Sequence, residues 1–189
     1  MTGCVQEFGK DLGVAQGVIA YSNCNNTYVS WEETYIRANG KEVFAGIMWQ
    51  CVEYARRYLI QTKGVAFEQK DYAANIWDIT SVTSVSNDQV YPLVNFPNGM
   101  VLTDQPFYYP KIGDMIIYPI QDQGMDVGHV AVVVGANATD ILIGEQNWDN
   151  NVWGDKKYAR ALKLDCVTGG NCTLFDPGYQ IYGWQRVLK

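Results

Sequence analysis

One cysteine, one histidine and one glutamate stand out in the 189-residue chain. His129 is the single histidine, so it alone among the side chains exchanges protons near neutral pH without needing a perturbed pKa. It opens an apolar, β-branched run that ends at Val134. A strand-end histidine satisfied by a carbonyl would read the same way, and so its neighbours matter. Cys51 begins a segment in which Val52, Ala55 and Leu59 recur at helical spacing, Tyr54 and Tyr58 lie beside them, and Gly64 stops the run. A thiol in the first turn of a helix from Cys51 to about Thr62 sits where unpaired N–H groups and the helix dipole favour thiolate. A buried, inert thiol would fit the same pattern.

Hairpin geometry adds a third group. The stretch Gly135 to Thr139 reads as a loop between His129–Val134 and Asp140–Glu145. Centring that loop on Asn137 pairs residues whose numbers sum to about 274, namely Val134 with Asp140, Val132 with Leu142, and His129 with Glu145. Opposed residues share a sheet face, which brings Glu145 beside the imidazole and puts Asn147 on that face two residues on. A slip of one residue would send Glu145 to the other face, where it would be an ordinary solvated carboxylate. Thiol, imidazole and carboxylate together can perform covalent acyl transfer: the thiol attacks a carbonyl, the imidazole moves the proton, and the carboxylate fixes the tautomer. The Cys51 N–H and the Gln50 side chain are candidates to hold the oxyanion.

Other elements must position these groups. Residues 1–30 read as extended and turn-rich, and Trp31–Asn39 as a short helix ended by Asn39-Gly40. A second helix is expected over Tyr72–Thr80, followed by a loop from Tyr91 to Gly99. Strands are expected at Met115–Tyr118, His129–Val134, Asp140–Glu145 and Ile181–Val187. Helices first and antiparallel strands afterwards give the α+β class.

Composition narrows the partners. Fourteen Lys+Arg against 20 Asp+Glu leave a net charge of −6, which argues against nucleic acid and against an anionic membrane surface. The longest apolar stretch is far too short to span a bilayer. Thirteen Tyr and six Trp exceed what a small core requires and suggest a binding groove. Five cysteines without a C-x-x-C pair, and one histidine, argue against a zinc site. Cys4 with Cys24 and Cys166 with Cys172 can form disulfides, or all four can stay reduced. N-x-[ST] triplets begin at Asn25, Asn137 and Asn171. The start MTGCVQEFGKD lacks a leader pattern, so the chain is cytoplasmic if Met1 is the native start and secreted if a leader has been removed.

The run Met48-Trp49-Gln50-Cys51-Val52-Glu53-Tyr54-Ala55-Arg56-Arg57-Tyr58-Leu59 resembles the nucleophile helix of glutathionylspermidine amidase domains. These belong to the cysteine, histidine-dependent amidohydrolase/peptidase (CHAP) group. FGKDLGVAQGVIAYSN from Phe8, FPNG from Phe96, Gly128-His129-Val130-Ala131, Glu145-Gln146-Asn147 and Gly183-Trp184 extend the resemblance over nearly the whole chain. It implies a papain-like α+β fold with N-terminal helices packed on an antiparallel sheet, forming one amidohydrolase domain over 1–189 without a synthetase domain. It further implies Cys51 as nucleophile, His129 as general base and acid, Glu145 as orienting residue and Gln50 as oxyanion donor. Arg56 and Asn147 fall at substrate-binding positions, although Arg56 is also spaced for a surface ion pair with Glu53. No cofactor or metal is implied. The expected substrate is a glutathione–polyamine conjugate. A secreted peptidoglycan amidase or endopeptidase of the same fold, and a catalytically silent module, are the other readings.

Overall fold

The computed structural model describes residues 3–100, 109–122, 124–167 and 171–189, and of Asn171 only the backbone. Met1 and the Asn171 side chain of the third triplet therefore lie outside the described residues. The chain opens with two hairpins. Strands β1 (Asp11–Ala15) and β2 (Val18–Tyr21) are joined by Gln16-Gly17, and β3 (Glu33–Ala38) and β4 (Lys41–Ile47) by Asn39-Gly40. All four turn residues have positive φ, as the tight turns that match strand twist require.

The second hairpin replaces the expected Trp31–Asn39 helix. Asn-Gly ends a helix and turns a hairpin by the same left-handed geometry, so the dipeptide does not discriminate. The alternation does: Thr34 is buried while Glu33, Tyr35 and Arg37 are exposed, a two-residue period. The long helix α1 (Cys51–Lys63) follows, capped at its end by Gly64, whose left-handed backbone lets its N–H reach the carbonyls of Ile60 and Leu59. Tyr54, Tyr58 and Leu59 are fully buried beneath it, each contributing about 1.5–3 kcal/mol of burial.

After β5 (Val65–Phe67), the expected Tyr72–Thr80 helix is a short 3-10 turn over Ala73–Asp78. Strands β6 (Ser81–Ser84) and β7 (Val90–Pro97) come next, and β7 overturns the expected Tyr91–Gly99 loop. Leu93 and Phe96 on β7 are buried against the sheet, which outweighs the turn tendency of its prolines. Beyond it lie β8 (Met115–Tyr118), β9 (His129–Ala136), β10 (Asp140–Gly144), β11 (Arg160–Val167), β12 (Asn171–Phe175) and β13 (Gly183–Val187).

Strands β5 to β13 build one antiparallel sheet in the order β12-β11-β10-β9-β8-β13-β7-β6-β5. Strand β9 lies near its middle and is buried on both faces from His129 to Val134. Val130 and Val132 face α1 together with Met115 and Ile117. Ala131 and Val133 meet Ile116, Ile141, Ile143 and Trp184 on the opposite side. The architecture is therefore α+β but mostly sheet, with one α-helix among the described residues where several were expected at the N-terminal end.

Candidate active site

The first turn of α1 meets the first residue of β9. Gly128 makes that approach possible: its φ is +72°, and a Cβ there would lie 2.6 Å from the Tyr118 carbonyl oxygen and 2.7 Å from the Ala74 Cβ. Cys51, His129 and Glu145 are brought together there, each nearly sealed from solvent at 6%, 3% and 3% exposure. Glu145 Oε2 lies 2.8 Å from His129 Nε2. The imidazole's other side faces the thiol, and the N–H groups of Val52 and Val130 also donate to the sulfur.

Burial alone would push the Cys51 thiol up. The adjacent His129 charge, its hydrogen bond and the two backbone N–H groups outweigh burial and hold the thiol below its ordinary value. Burial likewise works against the imidazolium, but the thiolate and Glu145 raise His129 to about 9. Burial also opposes the Glu145 carboxylate, and its bonds to His129 and Arg160 hold it below the usual carboxylate range. Both shifts favour a thiolate–imidazolium pair, whose titration belongs to the two groups jointly.

The hairpin reaches this result by a different register from the one expected. Ile141 pairs Ala136 and Leu142 pairs Gly135, then a bulge in β9 shifts the ladder so that Ile143 pairs Val133 and Gly144 pairs Val132. The offset from the expected pairing becomes two residues, which preserves the face. Continuing that register sets Glu145 level with Ala131, diagonal to His129, a separation that long side chains bridge.

Gln50 is the N-cap residue of α1 but makes no side-chain cap. Its Nε2 donates to Asn23 Oδ1 (3.2 Å) and to the Tyr28 carbonyl (3.0 Å). Its Oε1 accepts from Asn147 Nδ2 at 2.7 Å. To serve an oxyanion the amide would have to release one of those two long bonds. Asn147 lines the cavity beside Cys51 and anchors Gln50, while its own Oδ1 accepts from Asn23 Nδ2 at 2.9 Å. Asn23 is thus the hub of the amide network, yet in the sequence it reads only as one breaker residue in a turn cluster.

Arg56 is buried and makes no pair with Glu53. Its guanidinium donates to the carbonyls of Phe67 and Phe44 (3.0 Å for the latter) and lies over both rings. Glu53 is held instead by Arg57, at 2.6 Å, and by Gln146. Among the described residues Arg56 Nε has no hydrogen-bond partner.

Two more residues stand behind Glu145. Arg160, the first residue of β11, donates from Nε to Glu145 Oε1 (2.5 Å) and from Nη2 to Oε2 (3.2 Å). Its Nη1 bonds both oxygens of Asp176 (3.1 and 2.9 Å), and its Cζ lies 4.3 Å from the Trp148 ring centre. Nothing in their sequence spacing marks Arg160 or Asp176; only the sheet order brings β11 beside β10.

Cys51 borders two cavities. One, of about 130 Å³, contains His129 with Gln50, Asn147, Trp148, Asp149 and Tyr179. The other, of about 490 Å³, lacks His129 and is lined by Val29, Trp31, Ile47, Arg56, Lys70 and Tyr72 among others. Among the described residues no group of three or more His, Cys, Asp or Glu is disposed to hold a metal ion, and no helix is long and apolar enough to cross a membrane.

A CHAP domain family model matches residues 42–147. The trypanothione synthetase of Crithidia fasciculata is 32% identical over 163 residues, 86% of this chain and 23% of that protein. The bifunctional glutathionylspermidine synthetase/amidase of Escherichia coli (strain K12) is 31% identical over 184 residues, 94% of this chain and 29% of the relative. The glutathionylspermidine synthase of Crithidia fasciculata is 27% identical over 144 residues, covering 75% and 19%. The chain thus spans less than a third of the length of each of these relatives.

Proposed function

The chain belongs to the CHAP domain family, and from that membership we propose that it is a cysteine-dependent amidohydrolase of papain-like design. In this reading it cleaves the amide between glutathione and a polyamine through a thioester on Cys51. The observation that carries the reading is the contact of the Cys51 thiol with an imidazole whose Nε2 is held 2.8 Å from Glu145.

The Cys51 thiolate attacks the scissile carbonyl carbon, and the carbonyl electron pair moves onto oxygen. The Cys51 N–H, at the start of α1, is the donor best placed for that oxyanion, with Gln50 joining once it releases Tyr28. The His129 imidazolium gives its proton to the amide nitrogen, the C–N bond breaks and the amine leaves. Water then attacks the thioester, His129 accepts its proton, and the carboxylic acid departs as the thiolate–imidazolium pair re-forms.

The proton step also orients the substrate. The leaving nitrogen must reach His129, so the amine occupies the His129 cavity, with Asp149 at its rim. The acyl group occupies the larger cavity, whose wall includes Arg56 and where Lys70 suits a carboxylate. The names of the similar proteins, which couple glutathione and spermidine, fit such a substrate.

A second reading, a secreted amidase or endopeptidase acting on cell-wall peptides, is favoured by one observation. Cys4 is bonded to Cys24 and Cys166 to Cys172, as suits an oxidising compartment. Incubation with glutathionylspermidine and, separately, with muropeptides decides between them. Release of spermidine from the first supports the main reading, and new amino termini only from the second overturn it.

A further inference from the structure

We infer that Arg160, held in place by Asp176, is a positioning residue that keeps Glu145 oriented and negatively charged beneath His129. The inference rests on the thiol–imidazole–carboxylate reading above and extends it to two residues that lie beyond the family-matched segment 42–147.

Glu145 is 3% exposed, and an isolated carboxylate buried so deeply would take up a proton. A protonated Glu145 would neither balance the imidazolium nor fix the ring, so the site needs a second cation behind the carboxylate. Arg160 supplies it, reaching both oxygens and leaving Oε2 shared with His129. A guanidinium gripping one carboxylate would still be free to swing. Asp176 prevents this by taking Nη1 with both of its oxygens, and the guanidinium carbon lies over the Trp148 ring. Asp176 is itself fixed by the Tyr118 hydroxyl at 2.9 Å, and Tyr118 is the β8 partner of His129 in the ladder. The chain His129–Glu145–Arg160–Asp176–Tyr118 therefore closes on the strand pair from which it starts. Besides His129 and Arg160, the charged or titratable groups that face Glu145 are Tyr54 of α1, Tyr118 of β8, Asp149 and Asp176. Arg160 is the one permanent cation among them.

Cys51 is the only cysteine outside a disulfide, so its alkylation by iodoacetamide reports its thiolate without any substrate. The rate is measured against pH for wild type, Arg160→Gln, Arg160→Lys and Asp176→Asn, with circular dichroism to verify folding. Wild type should react with an acid-shifted limb; a limb at the ordinary thiol value would sink the ion-pair reading itself. In Arg160→Gln the limb should move to higher pH, slowing alkylation about tenfold at the acid end. Arg160→Lys keeps the charge and should largely restore the limb. Asp176→Asn weakens the grip on Nη1 and should move the limb to higher pH, by less than Arg160→Gln does. A wild-type limb in Arg160→Gln, or a limb in Asp176→Asn that stays at or below the wild-type position, would overturn the inference. Should Arg160→Gln not fold, Arg160→Lys and Asp176→Asn decide it, since an upward shift in Arg160→Lys or an unmoved limb in Asp176→Asn removes the argument.

Discussion

His129 Nε2 points at Glu145 Oε2, 2.8 Å away, which commits the ring's remaining nitrogen to Cys51. This ordering makes the histidine a two-sided relay: carboxylate on one nitrogen, sulfur on the other. It also sets which variants should hurt most.

Cys51→Ala should abolish amide hydrolysis. The side chain is small and its loss leaves a minor cavity, so the melting temperature should change by only a few degrees. Residual turnover above a few per cent would remove Cys51 as nucleophile. At neutral pH the native protein should take up iodoacetamide at Cys51 alone, because the other four cysteines are bonded.

Glu145→Gln should be milder than His129→Ala when kcat/KM is measured on one amide substrate. Loss of an orienting carboxylate costs about 10⁴-fold in serine enzymes. A thiol already held below its ordinary value depends less on its base than a hydroxyl does. His129→Ala removes in addition the proton donor for the leaving amine. The reverse ordering would contradict the roles assigned to both.

Position in the sequence made some of this legible and concealed the rest for identifiable reasons. The helix from Cys51 was readable because apolar spacing and Gly64 agree on it. The expected register that pairs His129 with Glu145 is off by two residues, and the bulge in β9 keeps the parity so that both share a face. Asn39-Gly40 misled because one local geometry serves two purposes. Asn23, Arg160 and Asp176 were invisible because they act across β-sheet neighbours far apart in sequence, which no local period encodes.

Intact mass of the native protein should be four hydrogens short of the reduced chain, matching the two disulfides. The short Cys166–Cys172 loop, with a sequence separation of 6, joins paired residues of β11 and β12. It lies at the end of that hairpin away from Arg160 and Asp176. Cys166→Ser with Cys172→Ser should therefore lower stability by roughly 2–3 kcal/mol while leaving the Cys51 alkylation limb unmoved. A shifted limb would mean that the hairpin tip is coupled to the site.

The pH dependence separates thiolate from imidazolium. Cys51 is held below its ordinary value and His129 is raised to about 9. As pH rises from acid, the thiolate–imidazolium pair forms early, so alkylation and kcat/KM should increase together over one limb. Near pH 9 the imidazolium loses its proton. Hydrolysis must then decline, because the leaving amine has no donor, whereas alkylation must not, because the sulfur remains ionised. The linkage carries the same sign for stability: a histidine raised in the folded state stabilises fully below its unfolded value of about 6.5 and loses that contribution as pH rises through about 9. The melting-temperature gap between wild type and His129→Ala should therefore narrow above that pH. A kcat/KM profile that stays flat through pH 10, or an alkylation rate that falls with it, would exclude the ion pair as the working state.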